Sequence, residues 1–206
     1  GPAAVEALLE QVRSTRLSCL PWSPTTVELR SRVAFLRREI GEPWPDWSDK
    51  VLLNRIDQWL EPYLAGMTSM TELARIDLAM LLRSQLPWPE GSRLEELAPT
   101  TIELPSGRSL RIDYSSGVKE GTAPVVPVRV QDLFGVKDHP SIGGGRVRLV
   151  LQLLSPADRP IQITSDLPGF WAGTWSEVRK EMAGRYPKHN WPTDPANADP
   201  KRMKDR

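Results

Sequence analysis

Apolar residues in the first half of the chain recur at helical spacing. In 3–14, Val5, Leu8, Leu9 and Val12 fall on one side of a helix. Ser23 followed by Pro24 reads as an N-cap with proline in the first turn. The helix it opens is expected over 25–40, with Val27, Val33, Phe35, Leu36 and Ile40 apolar and Gly41 as the stop. Ser48 is placed to cap a helix through Leu60, ended by Pro62. A further helix is expected over 71–85, carrying Leu73, Ile76, Leu78, Leu81 and Leu82, with Pro87-Trp88-Pro89 closing it. Ser92 and Glu95 have the spacing of a capping box for one short turn. These main helices predict a compact bundle.

The period then changes from helical to alternating. Residues 101–104 and 109–114 alternate apolar with polar around Pro105-Ser106-Gly107-Arg108, which predicts a β-hairpin. Residues 124–130 predict a third strand, at an edge because of its prolines. One helical turn is expected at 131–135. Residues 146–153 predict a strong strand, with Val147, Leu149, Leu151 and Leu153 on one face and Arg146, Arg148, Val150 and Gln152 on the other. A fifth strand is expected at 160–164. Asp166 is placed to cap a final helix to about Ala183, interrupted near Gly173, after which the chain becomes proline-rich and extended. The fold class is therefore α+β. A helical subdomain at 3–98 is expected to pack on a small antiparallel sheet or partly closed barrel at 99–165, with a helix and tail at 166–206. The stiff prolines at 87–89 and 99 predict one cooperative unit rather than two domains on a flexible linker.

Composition adds three constraints. At 206 residues and 39% hydrophobic content the chain can bury a core, while 20 prolines and 14 glycines imply many turns. The lone Cys19 cannot form an internal disulfide, which fits a reducing cytoplasm; its neighbours Leu17 and Leu20 predict a buried, inert thiol. No apolar run approaches the ~20 residues of a membrane span, and no signal-peptide pattern opens the chain. Gly1-Pro2 reads as a protease-cleavage remnant, so the natural chain is expected to continue N-terminally.

Net charge is +1, but it is unevenly spread. Residues 1–99 hold 11 basic and 14 acidic side chains, 100–178 hold 8 of each, and 179–206 hold 8 basic and 4 acidic. A basic tail after a neutral body is compatible with phosphate contact, and equally with a solvated terminus.

Catalytic chemistry has no foothold in this sequence. There is no glycine-rich loop ending in Lys-Ser or Lys-Thr, so no Walker-type phosphate cradle. Gly143-Gly144-Gly145 lacks the strand–loop–helix setting of such a cradle and reads as a flexible turn. Two histidines and one cysteine make no standard zinc site without carboxylates. No catalytic residue, cofactor or metal is expected.

Several long motifs are more specific than any of these patterns. Leu153-Leu154-Ser155-Pro156-Ala157-Asp158-Arg159-Pro160, Asp166-Leu167-Pro168-Gly169-Phe170-Trp171 and Gly184-Arg185-Tyr186-Pro187-Lys188-His189-Asn190-Trp191-Pro192 stand in the last third of the chain. Leu20-Pro21-Trp22-Ser23, Trp44-Pro45-Asp46, Trp59-Leu60-Glu61-Pro62 and Gln131-Asp132-Leu133-Phe134-Gly135 precede them. Together they resemble the C-terminal region of the HrpB family, bacterial DExH-box ATP-dependent RNA helicases, over nearly the whole chain. The resemblance implies an accessory region of a cytoplasmic RNA helicase. ATP and Mg²⁺ would be bound by a helicase core upstream in the same chain, and the usual oligonucleotide-binding fold would also lie upstream. RNA, single-stranded, is the implied partner. The rival reading is a protein-interaction or structural module that braces the helicase core or docks a partner.

Two groups of residues could serve RNA. In the tail, Arg179, Lys180, Arg185, Lys188 and His189 offer donors to phosphate, and Trp171, Trp175, Tyr186 and Trp191 offer faces for stacked bases. The competing reading makes those aromatics anchors that staple the tail to its own domain, and it is preferred for Trp171 and Trp175. Trp171 is expected to be buried against the sheet. On the strand, Arg146 and Arg148 project together, with Arg129 and Arg159 expected near them; a solvated sheet face is the ordinary alternative.

Overall fold

The chain divides at the Ala98–Pro99 bond into two units, Gly1–Ala98 and Pro99–Arg206, in a computed structural model that describes residues 1–115 and 122–200. The last six residues of the basic tail lie outside the described residues. No helix among the described residues is long and apolar enough to cross a membrane.

The first unit is helical. α1 (Pro2–Ser14) buries Leu8, Leu9 and Val12. A left-handed turn at Arg16 and Leu17, with φ of 51° and 72°, redirects the chain so that Leu17 and Leu20 enter the core. Cys19 between them is half-buried rather than buried, because the turn points its neighbours inward instead. α2 (Pro24–Glu39) is capped by the Ser23 side chain, which accepts from the Thr26 amide. It buries Leu29, Val33, Phe35 and Leu36 but leaves Val27 exposed. Trp44 and Trp47, in the connector after Gly41, are core residues. The carbonyls of these two tryptophans accept from Arg37 and Arg30 of α2.

The later helices are shorter than the periodicity predicts. The 48–60 segment is broken at Arg55 into α3 (Asp49–Asn54) and α4 (Ile56–Trp59), followed by a 3₁₀ turn over Glu61–Leu64. The helix expected over 71–85 is two pieces, α5 (Met70–Leu73) and α6 (Leu78–Ser84). A cap inside the segment, at Asp77, explains the break. Ser69 accepts from the Glu72 amide, and Asp77 accepts from the Met80 amide, so each starts its own helix. A 3₁₀ turn at Glu90–Arg93 leads into α7 (Leu94–Leu97). The expected Ser92–Glu95 capping box does not form. The Ser92 hydroxyl donates to the Pro89 carbonyl, and the Glu95 carboxylate is drawn to Arg32 and Arg83. Arg32 is itself buried, its Nε donating to the Ala98 carbonyl at 2.6 Å.

The second unit carries the strands. β1 (Thr101–Glu103) and β2 (Ser109–Arg111) form the expected antiparallel hairpin, turning at Gly107 with φ of 89°. β3 (Val125–Arg129), β4 (Ser141–Ile142), β5 (Val147–Arg148), β6 (Val150–Leu154) and β7 (Pro160–Thr164) follow. The α+β class holds, but the described strands make separate small sheets rather than one antiparallel sheet or barrel. β3, β6 and β7 form one sheet in that order, and β4 pairs with β5 in a ribbon of its own.

β3 lies parallel to β6, while β6 and β7 are antiparallel. The reason is the long connection from β3 to β6, which is enough for a crossover that re-enters in the same direction. β3 ends this sheet, as its prolines predict, and a single antiparallel bridge joins its Val125 to Asp113 beyond β2. The strand expected over 146–153 is also divided. Arg148 still pairs with β4, but the Leu149 amide donates to the Pro140 carbonyl, and at Val150 the chain joins β3. The expected inward face survives this switch, since Leu149, Leu151 and Leu153 are all buried. α8 (Leu167–Ala172) is capped by Asp166, and Gly173 separates it from α9 (Trp175–Arg185).

Candidate nucleic-acid interface

Sequence reasoning offers the tail aromatics either to bases or to the fold, and in the structure they meet one another. Trp175 is at the centre, 2% exposed. Its ring centroid lies 5.4 Å from Trp171, 5.8 Å from Phe134, 6.2 Å from Phe170 and 6.3 Å from Trp191. Most of these contacts are tilted or edge-on, as the ring quadrupoles prefer. Trp171 is half-buried rather than fully buried against the sheet. It packs on Phe134 and Phe170, and its indole N–H donates to the Val136 carbonyl. Trp175 takes the central place because it opens α9 and faces the returning tail.

The tail is then tied down by its backbone. The Trp175 indole donates to the Pro192 carbonyl, the Trp191 indole to the Tyr186 carbonyl, and the Tyr186 hydroxyl bonds the Ser155 hydroxyl. Further along, the Gly135 amide donates to the Pro195 carbonyl at 2.9 Å. Gly135 has a φ of 87°, and a Cβ there would lie 2.9 Å from Pro200 Cγ and 3.1 Å from the Ala198 carbonyl oxygen. The glycine that ends the Gln131-to-Gly135 motif is thus required for the tail to cross it. Trp191 is buried and His189 half-buried, at 6.1 Å from each other.

The candidate cations divide into committed and exposed. Arg179 is half-buried, and its Nε donates to the Trp191 carbonyl at 2.7 Å, a structural role that sequence reasoning does not assign. Lys180 is exposed and 4.0 Å from Glu177; Arg185 is exposed and 3.7 Å from Glu181. Lys188 is exposed. On the ribbon, Arg146 and Arg148 are exposed, and one Arg146 guanidinium nitrogen donates to the Gly143 carbonyl at 2.9 Å.

Arg129 and Arg159 do not join that ribbon pair. Arg129 is in register with Leu154, the far end of β6, which at about 3.3 Å per residue is roughly 20 Å along the chain from Arg148. It forms a two-bond fork with Asp158 instead, at 2.8 and 3.1 Å. That bond holds the Asp158 carboxyl below its ordinary value, and slight desolvation opposes the effect.

His139 has a role that its sequence context does not signal. The Leu167 amide donates to its Nδ1, so Nε2 carries the proton and donates to the Leu149 carbonyl. The imidazole thereby joins the start of α8 to the point where the chain leaves the ribbon for the sheet. Trp88 is unexpected in the opposite sense. It stands 85% exposed between two prolines, where the sequence marks only a helix end. Among the described residues no three His, Cys, Asp or Glu side chains converge to hold a metal.

Comparison with known proteins gives consistent results. The family described as "ATP-dependent helicase C-terminal" matches residues 59–195. The ATP-dependent RNA helicase HrpB of Escherichia coli K12 is 42% identical over 198 residues, 96% of this chain and 24% of that protein. The crystal structure of the E. coli DExH-box NTPase HrpB superposes with a TM-score of 0.87 at 42% identity, covering 95% of this chain and 24% of that one. A crystal structure of the E. coli DEAH/RHA helicase HrpB gives 0.74 at 39% identity, over 91% and 23%. The chain thus spans about a quarter of the length of the relatives it matches.

Proposed function

The chain belongs to the family of ATP-dependent helicase C-terminal regions, and from that membership we propose that it is a non-hydrolysing module of a cytoplasmic RNA helicase, docking on protein through its helical unit. The observation that carries the docking role is Trp88. A large apolar ring held in water between Pro87 and Pro89 gains nothing for the fold that presents it. Tryptophan is also among the residues enriched at the hot spots of protein interfaces. Among the described residues the other exposed large apolar side chains are Val27, Tyr63, Met70, Met80 and Ile163; all but Ile163 are in the helical unit. The docking partner is the remaining three quarters of the helicase chain, which also supplies the ATP and Mg²⁺ site. The aromatics of the tail are spent on its own core, so bracing takes precedence over base stacking.

The test is binding in trans. The isolated chain is titrated against a helicase truncated before it, alongside Trp88→Ala. Loss of about 2 kcal/mol or more, roughly 30-fold in Kd, is expected for an interface anchor, with an unchanged melting curve. Unchanged affinity overturns the docking role. ATP turnover by the isolated chain, abolished by a point substitution within it, overturns the non-hydrolysing role.

A further inference from the structure

Both α9 and the β4–β5 ribbon present cations, but their electrostatic settings differ. On α9, Lys180 and Arg185 each have a glutamate within 4.0 Å, and Arg179 is bonded to the tail backbone. The ribbon has no such neutralisation in its own segment, since the sequence contains no Asp or Glu between Asp138 and Asp158.

The ribbon's register sorts its side chains by face. Ile142 pairs with Val147, and Ser141 with Arg148. Partners in a cross-strand pair share a face, and successive residues alternate. Ile142 is buried and Val147 half-buried, so that pair anchors the ribbon. Ser141 and Arg148 are exposed together on the other face, and Arg146, also exposed, is the last turn residue before β5. The bond from Arg146 to the Gly143 carbonyl holds its guanidinium beside the turn instead of leaving it free to swing.

The turn itself has φ of 67°, 68° and 84° at Gly143, Gly144 and Gly145, a conformation open to glycine and strained for other residues. Crowding is not the reason at Gly145, where a Cβ would meet nothing within 4 Å. The outer surface is bare backbone beside two arginines.

We propose that this ribbon is a contact for the phosphodiester backbone of single-stranded RNA. Arg146 and Arg148 donate to phosphate oxygens, to which the guanidinium fork is suited, and the Ser141 hydroxyl adds a donor. The segment 139–157 contains no Trp, Tyr or Phe, so the contact does not stack bases and reads no sequence. The choice of RNA rests on the module's place in an RNA helicase; the docking role of Trp88 is independent of it.

The test titrates the isolated chain into a labelled oligouridine of about 20 nucleotides, followed by anisotropy from about 50 to about 200 mM salt. Two phosphates at about −0.7 each give a log–log slope of about −1.4, a roughly sevenfold weakening over that range. The double variant Arg146→Gln with Arg148→Gln flattens the slope toward zero. Because Arg146 also bonds the turn, Arg148→Gln alone is the control for folding; it halves the slope and leaves the melting curve unchanged. Lys180→Gln with Arg185→Gln and Lys188→Gln leaves the slope as it was, as does Trp88→Ala. Four outcomes overturn the proposal. They are absence of oligouridine binding, binding unaltered by the ribbon variants, a slope lost to the α9 and tail variants instead, and equal competition by polyglutamate, which would make the ribbon a general anion surface.

Discussion

Replacing Trp175 by alanine removes the ring that touches Phe134, Phe170, Trp171 and Trp191 at once, and should cost about 3–5 kcal/mol. Trp171→Ala should cost less, because that ring is only half-buried. Urea unfolding of the two variants ranks them, and a larger loss at Trp171 would show the cluster to be centred elsewhere. Gly135→Ala should destabilise by about 1–3 kcal/mol, since it combines a left-handed backbone with a clash against Pro200. The aromatic residues were legible from the sequence as anchors, but their order was not. Which tryptophan sits in the middle depends on where the tail returns, and that is fixed by contacts far apart in the chain. His139 was illegible for the same reason, since its partners Leu149 and Leu167 are 10 and 28 residues away.

At the scale of elements, the caps decide more than the apolar period does. Ser23→Ala should cost about 1 kcal/mol through loss of the bond to the Thr26 amide. Periodicity located α1, α2 and β3 well, because a buried face repeats within each, but it missed β4. It ran α5 and α6 together because Asp77 starts α6 afresh with a side-chain bond, which leaves no mark on an apolar pattern. It likewise carried 146–153 as one strand, since the buried face continues through Leu149 while the hydrogen-bond partner changes.

The turn from β6 to β7 gives a pH signature. Arg129 bonds Asp158 and depresses its carboxyl, so the pair adds stability above the ordinary carboxylate range and loses it as pH falls through the lowered value. Asp158→Asn should therefore lower the thermal midpoint at neutral pH and reduce its fall below about pH 4. Parallel acid-side curves for the variant and the parent would remove the pair from the account.

At the scale of the molecule, Pro87, Pro89 and Pro99 stiffen the chain around the boundary between the two units. A single calorimetric transition is the expected outcome; two well-separated ones would make the units independent. The α+β class and the long motifs were legible in the sequence. The candidate interface was legible only as a choice between tail and ribbon, because carboxylates beside α9 cations reveal themselves once the helix is built.

The closure of Trp191 and Pro200 over Phe134 and Gly135 also bears on biosynthesis. The second unit begins at Pro99, yet the residues that complete its core are among the last of it to be made. Until the ribosome has released the chain through residue 200, Trp175 and Phe134 lack the Trp191 ring, and Gly135 lacks Pro200. A chain ending before Trp191 would leave Trp175 and Phe134 without that ring, held by Trp171 and Phe170.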